Sequence, residues 1–209
     1  MINYKFSVLL IWMEVWLMLY DKDIRGPLFD FLDETFGKNR IFEEKTIGRS
    51  RADVMMITED YFWGIEIKSD ADTYVRLERQ VKDYNRFFDF NIVAVGSSHA
   101  KHVAEHVPEY WGIITVDESE GADFYLLRAP KPNPKKEKNV LFNNQMSFLW
   151  RNELANIQER NKMYKYKNLS KSAICKKIVA KVPQDKLKKE IIYELFERDY
   201  SKYDKDSRG

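Results

Sequence analysis

Asp53, Glu66 and Lys68 are the residues whose types and spacing could do chemistry. They sit in RADVMMITEDYFWGIEIKSD, residues 51–70. Side chains alternate faces along a strand, so Glu66 and Lys68 point one way while Ile65 and Ile67 point the other. A partner strand carrying Asp53 would complete a patch of two carboxylates and a lysine. Hydrolysing a phosphodiester needs neutralised phosphate charge and a deprotonated water, and a divalent ion supplies both. Mg²⁺ or Mn²⁺ suits such a patch, because Mg²⁺ takes one or two carboxylates and retains several waters. Asp53 and Glu66 are the candidate ligands, with the Ile67 carbonyl as a third. Lys68 could orient the attacking water or stabilise developing negative charge. Glu43 or Glu44, one strand earlier, could add a carboxylate. They are adjacent, so only one can face the patch, and the pattern does not choose; Glu44 is carried as the candidate ligand.

The pattern alone is weak in a chain that is 33% charged. An ordinary antiparallel strand also alternates polar and apolar residues. The flanking Tyr61, Phe62 and Trp63 argue for a covered strand, in which charges need partners.

The elements around the patch follow from periodicity. Residues 21–37 have helical spacing (Ile24, Leu28, Phe31, Leu32, Phe36), closed by Gly37. Residues 41–47, 52–58 and 61–69 read as a three-stranded meander. A helix is expected over 73–88, with Val75, Leu77, Val81, Tyr84 and Phe88 inward. A buried strand at 90–98, a short helix at 100–107 and strands at 111–117 and 123–129 come next. PKPNPKKEKN (130–139) reads as a linker or exposed arm. Helices are then expected over 144–160, 170–182 and from Pro183 onward.

The net charge of +2 hides an asymmetry: residues 150–209 carry 16 Lys/Arg against 9 Asp/Glu, leaving 19 against 24 elsewhere. An acidic front and a basic back suit a metal-holding domain joined to a polyanion-facing module. Lys135 and Lys136 of the linker and Lys165 and Lys167 of the basic back are the candidate phosphate contacts, with Arg76 and Arg79 near the patch. A solvated lysine-rich surface is the competing explanation. The single Cys175 excludes an intrachain disulfide and fits a reducing, cytoplasmic setting. Residues 1–20 form an apolar segment broken by Glu14, too short to span a bilayer comfortably. It reads as a core or interface helix, or as lying upstream of the true start, with Met18 opening the protein. No membrane association is implied.

Other clusters carry less. Asp70 and Asp72 follow the patch, and Asp72 suits a helix N-cap. His99, His102 and His106 share one helical flank beside a buried stripe of Ala100, Val103, Ala104 and Val107, and read as a surface cluster. Cys175 falls on an apolar helical stripe. MYKYKNLSK (163–171) interleaves aromatics and lysines, as a stacking surface or as a packed linker.

The order helix, meander with Asp and ExK, helix, strand resembles the PD-(D/E)XK nuclease superfamily. RADV, GIEIKSDADTYVRLERQVKDY and PEYWGIITV, with LWRNEL and LSKSAICKKI later, are similar to a small uncharacterised prokaryotic and phage family within it. The resemblance covers roughly residues 20–200. It implies an α/β, restriction-endonuclease-like core at 21–129, a linker at 130–143 and an all-helical basic extension at 144–209. It also implies metal ligation by Asp53 and Glu66, catalysis by Lys68, and a positioning role for Gln80, spaced QxxxY with Tyr84. Ala52 replaces the usual proline of the first motif, while the aspartate that carries the chemistry is present. The expected function is Mg²⁺- or Mn²⁺-dependent hydrolysis of DNA, branched and single-stranded forms included, with homodimerisation left open. The alternative is a nucleic-acid-binding protein that keeps the fold and cleaves little or not at all.

Overall fold

The computed structural model describes residues 21–69, 72–96, 100, 102–117, 123–134 and 137–200. The apolar segment 1–20, Asp70, His99, Lys135 and Lys136 lie outside them. Among the described residues, a six-stranded mixed sheet is combined with six α-helices.

Helix α1 (Asp21–Phe36) leads into strands β1 (Arg40–Ile47), β2 (Ser50–Ile57) and β3 (Phe62–Lys68). They form the expected antiparallel meander. Helix α2 (Leu77–Phe87) crosses to β4 (Phe90–Gly96), which runs parallel to β3. Strand β5 (Gly112–Asp117) is parallel to β4, and β6 (Asp123–Arg128) closes the sheet antiparallel. The helices α3 (Lys138–Met146), α4 (Arg151–Arg160), α5 (Lys171–Lys181) and α6 (Gln184–Phe196) follow.

The pleat divides the core as the alternation requires. Ile65 and Ile67 pack with Val54, Ile92 and Ile114 under Ile24, Leu28 and Leu32 of α1. The other face carries Met55, Phe62 and Val93, which join Tyr84 and Phe88. That cluster continues through Met146, Leu154, Ile174, Ile191 and Leu195. The C-terminal helices therefore share one core with the sheet.

Several expectations are corrected. The helix expected over 144–160 is two helices. Glu153 accepts a hydrogen bond from the Trp150 N–H at 2.6 Å, which starts a new helix there. Phe148, in the break, lies against Phe62, Phe87 and Phe88. Helix α3 also begins inside the expected linker. Before it, the Lys131 N–H bonds Tyr110 O at 2.8 Å and the buried Asn133 side chain bonds Asn85 O at 3.0 Å. Lys131 and Asn133 are thus strapped to the core rather than free. Val75 is 88% exposed, because a 3₁₀ turn over Tyr74–Arg76 shifts the helical phase before α2 begins. The helix expected at 100–107 is one 3₁₀ turn, Val103–Glu105, leaving Ala104 exposed. Among the described residues, no helix is long and apolar enough to cross a membrane.

Candidate active site

Glu66 is fully buried and Lys68 is 5% exposed, both on the α2 side of β3. The Lys68 ammonium donates to Glu66 Oε1 at 2.5 Å. The Gln80 amide nitrogen donates to the same oxygen. The Tyr84 hydroxyl lies 2.7 Å from Glu66 Oε2 as its donor, and accepts the Asp53 N–H at 3.3 Å. Asp53 Oδ2 accepts the Ile67 N–H at 2.9 Å. Gln80 and Tyr84 are four residues apart on α2, one turn above each other on one face. A single tyrosine thus ties both carboxylate-bearing strands to the helix.

Glycine makes this contact possible. A Cβ on Gly64 would lie 2.2 Å from the Phe88 ring and 2.6 Å from the Tyr84 ring. Only a residue without a side chain lets those rings lie on β3. Burial, then the charges of Glu66 and Asp53, push the Tyr84 hydroxyl well above a tyrosine's usual range. It therefore stays protonated and keeps donating.

A cleft of about 470 Å³ opens beside this cluster. Asp53, Glu66, Ile67, Lys68 and Gln80 line it, and Arg49, Arg51, Arg76 and Arg79 supply its other cations. Five cationic side chains face three carboxylates, Asp72 being the third. The balance favours an anionic ligand. Gln80 carries a further signal. Its nitrogen faces a carboxylate, which fixes the amide's orientation. Its Oε1 is buried with no hydrogen-bond partner among the described residues. A buried carbonyl left this way costs about 1–3 kcal/mol and asks for an explanation.

The predicted residues divide clearly. Asp53, Glu66, Ile67, Lys68, Gln80, Arg76 and Arg79 meet at the cleft. Glu44 does not join them. Its carboxylate is held by Arg25 at 2.7 Å and by Arg51, while Glu43 also pairs with Arg25, at 3.0 Å. Arg25 comes from α1, so the two adjacent glutamates are both drawn to that side. Lys165 and Lys167 lie in the loop after α4, apart from the cleft lining. Asp72 is no N-cap: it accepts from the Ser69 N–H at 2.9 Å and the Ser69 hydroxyl at 2.8 Å. His102 and His106 are exposed, and His106 stacks on Tyr74.

Sequence reasoning missed Arg49, Arg51 and Asp83. Arg49, Arg51 and Asp53 recur every second residue, a signal that could have found the arginines. Asp83 accepts from the Ser50 hydroxyl at 2.7 Å and the Arg49 N–H at 3.3 Å, locking α2 to the β1–β2 turn. Gly48 in that turn has φ +63°, and a Cβ there would lie 2.6 Å from Asp83 Oδ1.

The residues fit a divalent ion of the hard, oxygen-preferring kind. The donors are two carboxylates and a main-chain carbonyl, beside an unpartnered amide oxygen. Among the described residues no group of three or more His, Cys, Asp or Glu could hold a metal. A two-carboxylate site suits Mg²⁺ or Mn²⁺, which keep waters, better than Zn²⁺, whose structural sites are usually closed by four side chains.

No curated protein and no solved structure matches the chain. A family model described as Bacteriophage P4 protein cII matches residues 18–207. This agrees with the phage part of the resemblance seen in the sequence. The match spans nearly the whole chain, and the protein belongs to the bacteriophage P4 cII protein family.

Proposed function

We propose that the protein is a metal-dependent nuclease of the PD-(D/E)XK type, hydrolysing DNA phosphodiester bonds. The observation that carries the reading is the convergence of Asp53, Glu66 and Lys68 on one cation-rimmed cleft. The meander followed by a helix and a parallel strand supports it at the level of topology.

Asp53 and Glu66, with the Ile67 carbonyl, would hold Mg²⁺ or Mn²⁺. When bound, such an ion neutralises phosphate charge and acidifies water. The chain's own residues do the rest. Arg49, Arg51, Arg76 and Arg79 hold phosphate oxygens on either side of the scissile bond. Lys68 orients the attacking water and stabilises the negative charge that grows as its oxygen bonds phosphorus. The P–O bond to the leaving sugar oxygen breaks; the attacking water gives up a proton to solvent water, and the leaving oxygen takes one from it. Gln80 fixes Glu66 with its nitrogen and offers its carbonyl to the cleft's ligand. Tyr84 holds Asp53 and Glu66 in register.

One observation favours the competing reading of a binding protein that does not cleave. Glu66 already receives Lys68, Gln80 and Tyr84, so three of its roughly four acceptor sites are filled. The two readings separate on incubation with single-stranded, double-stranded and branched DNA plus Mn²⁺, beside Asp53→Ala and Lys68→Ala. The nuclease reading expects metal-dependent cleavage abolished by both substitutions. No cleavage of any substrate would leave the binding reading, and cleavage surviving both substitutions would sink the site assignment.

A further inference from the structure

A second basic region lies outside the cleft lining. Between Glu159 and Asp185 the chain holds no acidic residue and eight Lys or Arg. Lys162, Lys165, Lys167, Lys176, Lys177 and Lys181 are all exposed. Only Lys165 among them has an acidic partner within the described residues, Glu159 at 2.7 Å. Elsewhere the described lysines and arginines repeatedly find carboxylates, as Arg25, Arg51 and Arg198 do.

Two tyrosines stand in this field. Tyr164 is 76% exposed, the most exposed aromatic side chain among the described residues. Tyr166, its neighbour at 5.4 Å, lies under the Lys177 ammonium at 5.1 Å, with Lys181 Nζ 3.5 Å from its hydroxyl. The loop that presents them is held at both ends. Gln158, buried, donates to Tyr164 O at 3.0 Å and its main-chain carbonyl accepts the Met163 N–H at 2.8 Å. Arg151 donates to Lys167 O at 3.1 Å and Leu169 O at 3.0 Å. A preformed loop loses little entropy when it binds.

We infer that the Tyr164 loop and the lysines of α5 form a second nucleic-acid surface, which takes single-stranded DNA by stacking a base on Tyr164. The lysines answer a string of phosphates. An exposed ring answers an unpaired base, which every base can offer without sequence preference. A duplex has no free base face for it. A lipid surface fits less well: an interfacial helix needs a broad apolar face, and Ile174 and Ile178 of α5 are buried in the core. This surface goes beyond the cleft and stands without cleavage there.

The test uses the full chain carrying Asp53→Ala, so that cleavage does not consume the probe. Fluorescence anisotropy measures binding to a labelled oligothymidylate, to a duplex of equal length, and to vesicles of equal phosphatidylglycerol and phosphatidylcholine. Adding Tyr164→Ala should weaken single-strand binding about tenfold and leave duplex binding unchanged. Adding Lys165→Glu, Lys167→Glu and Lys177→Glu together should weaken binding to both and lower the single-strand salt slope by about 2. All four sites are exposed, and unchanged circular dichroism would confirm folding. Single-strand binding unaffected by either set overturns the inference. Equal losses on single strand and duplex with Tyr164→Ala overturn the stacking role. Patch-dependent vesicle binding without patch-dependent DNA binding assigns the surface to lipid and overturns it as well. Absence of cleavage by the unsubstituted protein with Mn²⁺, together with single-strand binding lost on Tyr164→Ala, refutes the nuclease reading and leaves this one intact.

Discussion

At the two ends of β3 the chain builds the same trio, a carboxylate, a lysine and a glutamine, and completes it differently. At the Phe62 end, Asp89 accepts the Phe62 N–H at 2.9 Å and pairs with Lys188 of α6. Gln145 of α3 donates to Phe87 O at 3.1 Å and to Asp89 at 3.3 Å, and its carbonyl accepts Lys188 at 2.9 Å. Both ends of that amide are used. At the Lys68 end, Glu66, Lys68 and Gln80 meet in the same way, but the Gln80 carbonyl has no partner among the described residues. A second carboxylate, Asp53, crowds the same cleft. A fully satisfied buried network specifies and rigidifies a fold. A network left unfinished beside a cleft is where a ligand completes it. The first trio latches the C-terminal helices to the sheet; the second is the site proposed to work on a ligand.

Removing one carboxylate at each end should separate the two most strongly. Asp89→Ala takes the buried carboxylate from Lys188 and the acceptor from the Phe62 N–H and should cost about 3–5 kcal/mol of stability, read by urea unfolding. Asp53→Ala gives up the hydrogen bond from the Ile67 N–H and takes one of the carboxylates away from the cleft that Glu66 also lines. Its stability should change by no more than about 1 kcal/mol. Cleavage should instead fall on the order of 10³-fold, because charge stabilisation at the phosphate is lost. Similar stability losses at both ends would break the distinction.

The glutamines sharpen it. Gln145→Leu takes an acceptor from Lys188 and a donor from Phe87 O, and should destabilise by about 1–3 kcal/mol. Gln80→Leu also deletes a carbonyl that is already unpaired, so stability should be unchanged or raised. Activity should drop about 10- to 100-fold, as when a residue that orients a metal ligand is lost. Equal destabilisation by the two would make Gln80 another latch.

How much of this could be read beforehand differs between the two trios. Glu66 and Lys68 are two apart on one strand, and local alternation alone puts them on one face. Asp89, Gln145 and Lys188 come from a turn and two distant helices, so no local pattern announces them. The same holds for Glu43 and Glu44, both of which pair with Arg25 from α1 and neither of which lines the cleft. The element order was legible because hydrophobic periodicity is strong in each segment. The break at Trp150 was not, since it depends on Phe148 finding Phe62 and Phe88 across the core. Arg49 and Arg51 follow the same period-two spacing as Asp53 and were within reach.

The smallest effect tests whether the closed side of the proposed site is as sealed as the latch. Tyr84→Phe should cost about 1 kcal/mol at neutral pH, the value of a buried hydroxyl whose partners partly face the cleft. The pH dependence of that gap is the sharper measurement. Tyr84 sits above its usual pKa of 10.0 because burial, Glu66 and Asp53 all oppose the phenolate. Below about pH 10 folded and unfolded chains both keep the proton, so the stabilisation is fully present. Above it the unfolded chain loses the proton while the folded chain retains it. Stability then falls by up to about 1.4 kcal/mol per pH unit until the folded hydroxyl itself titrates. The Tyr84→Phe variant has no proton to lose at this position. Urea unfolding at about pH 8 and about pH 10.5, on either side of the free phenol's range, should therefore show the gap closing or reversing in favour of the variant. A constant gap would mean that water or hydroxide reaches the Tyr84 oxygen. The site would then be open on both sides, and Tyr84 could not hold Asp53 and Glu66 in register.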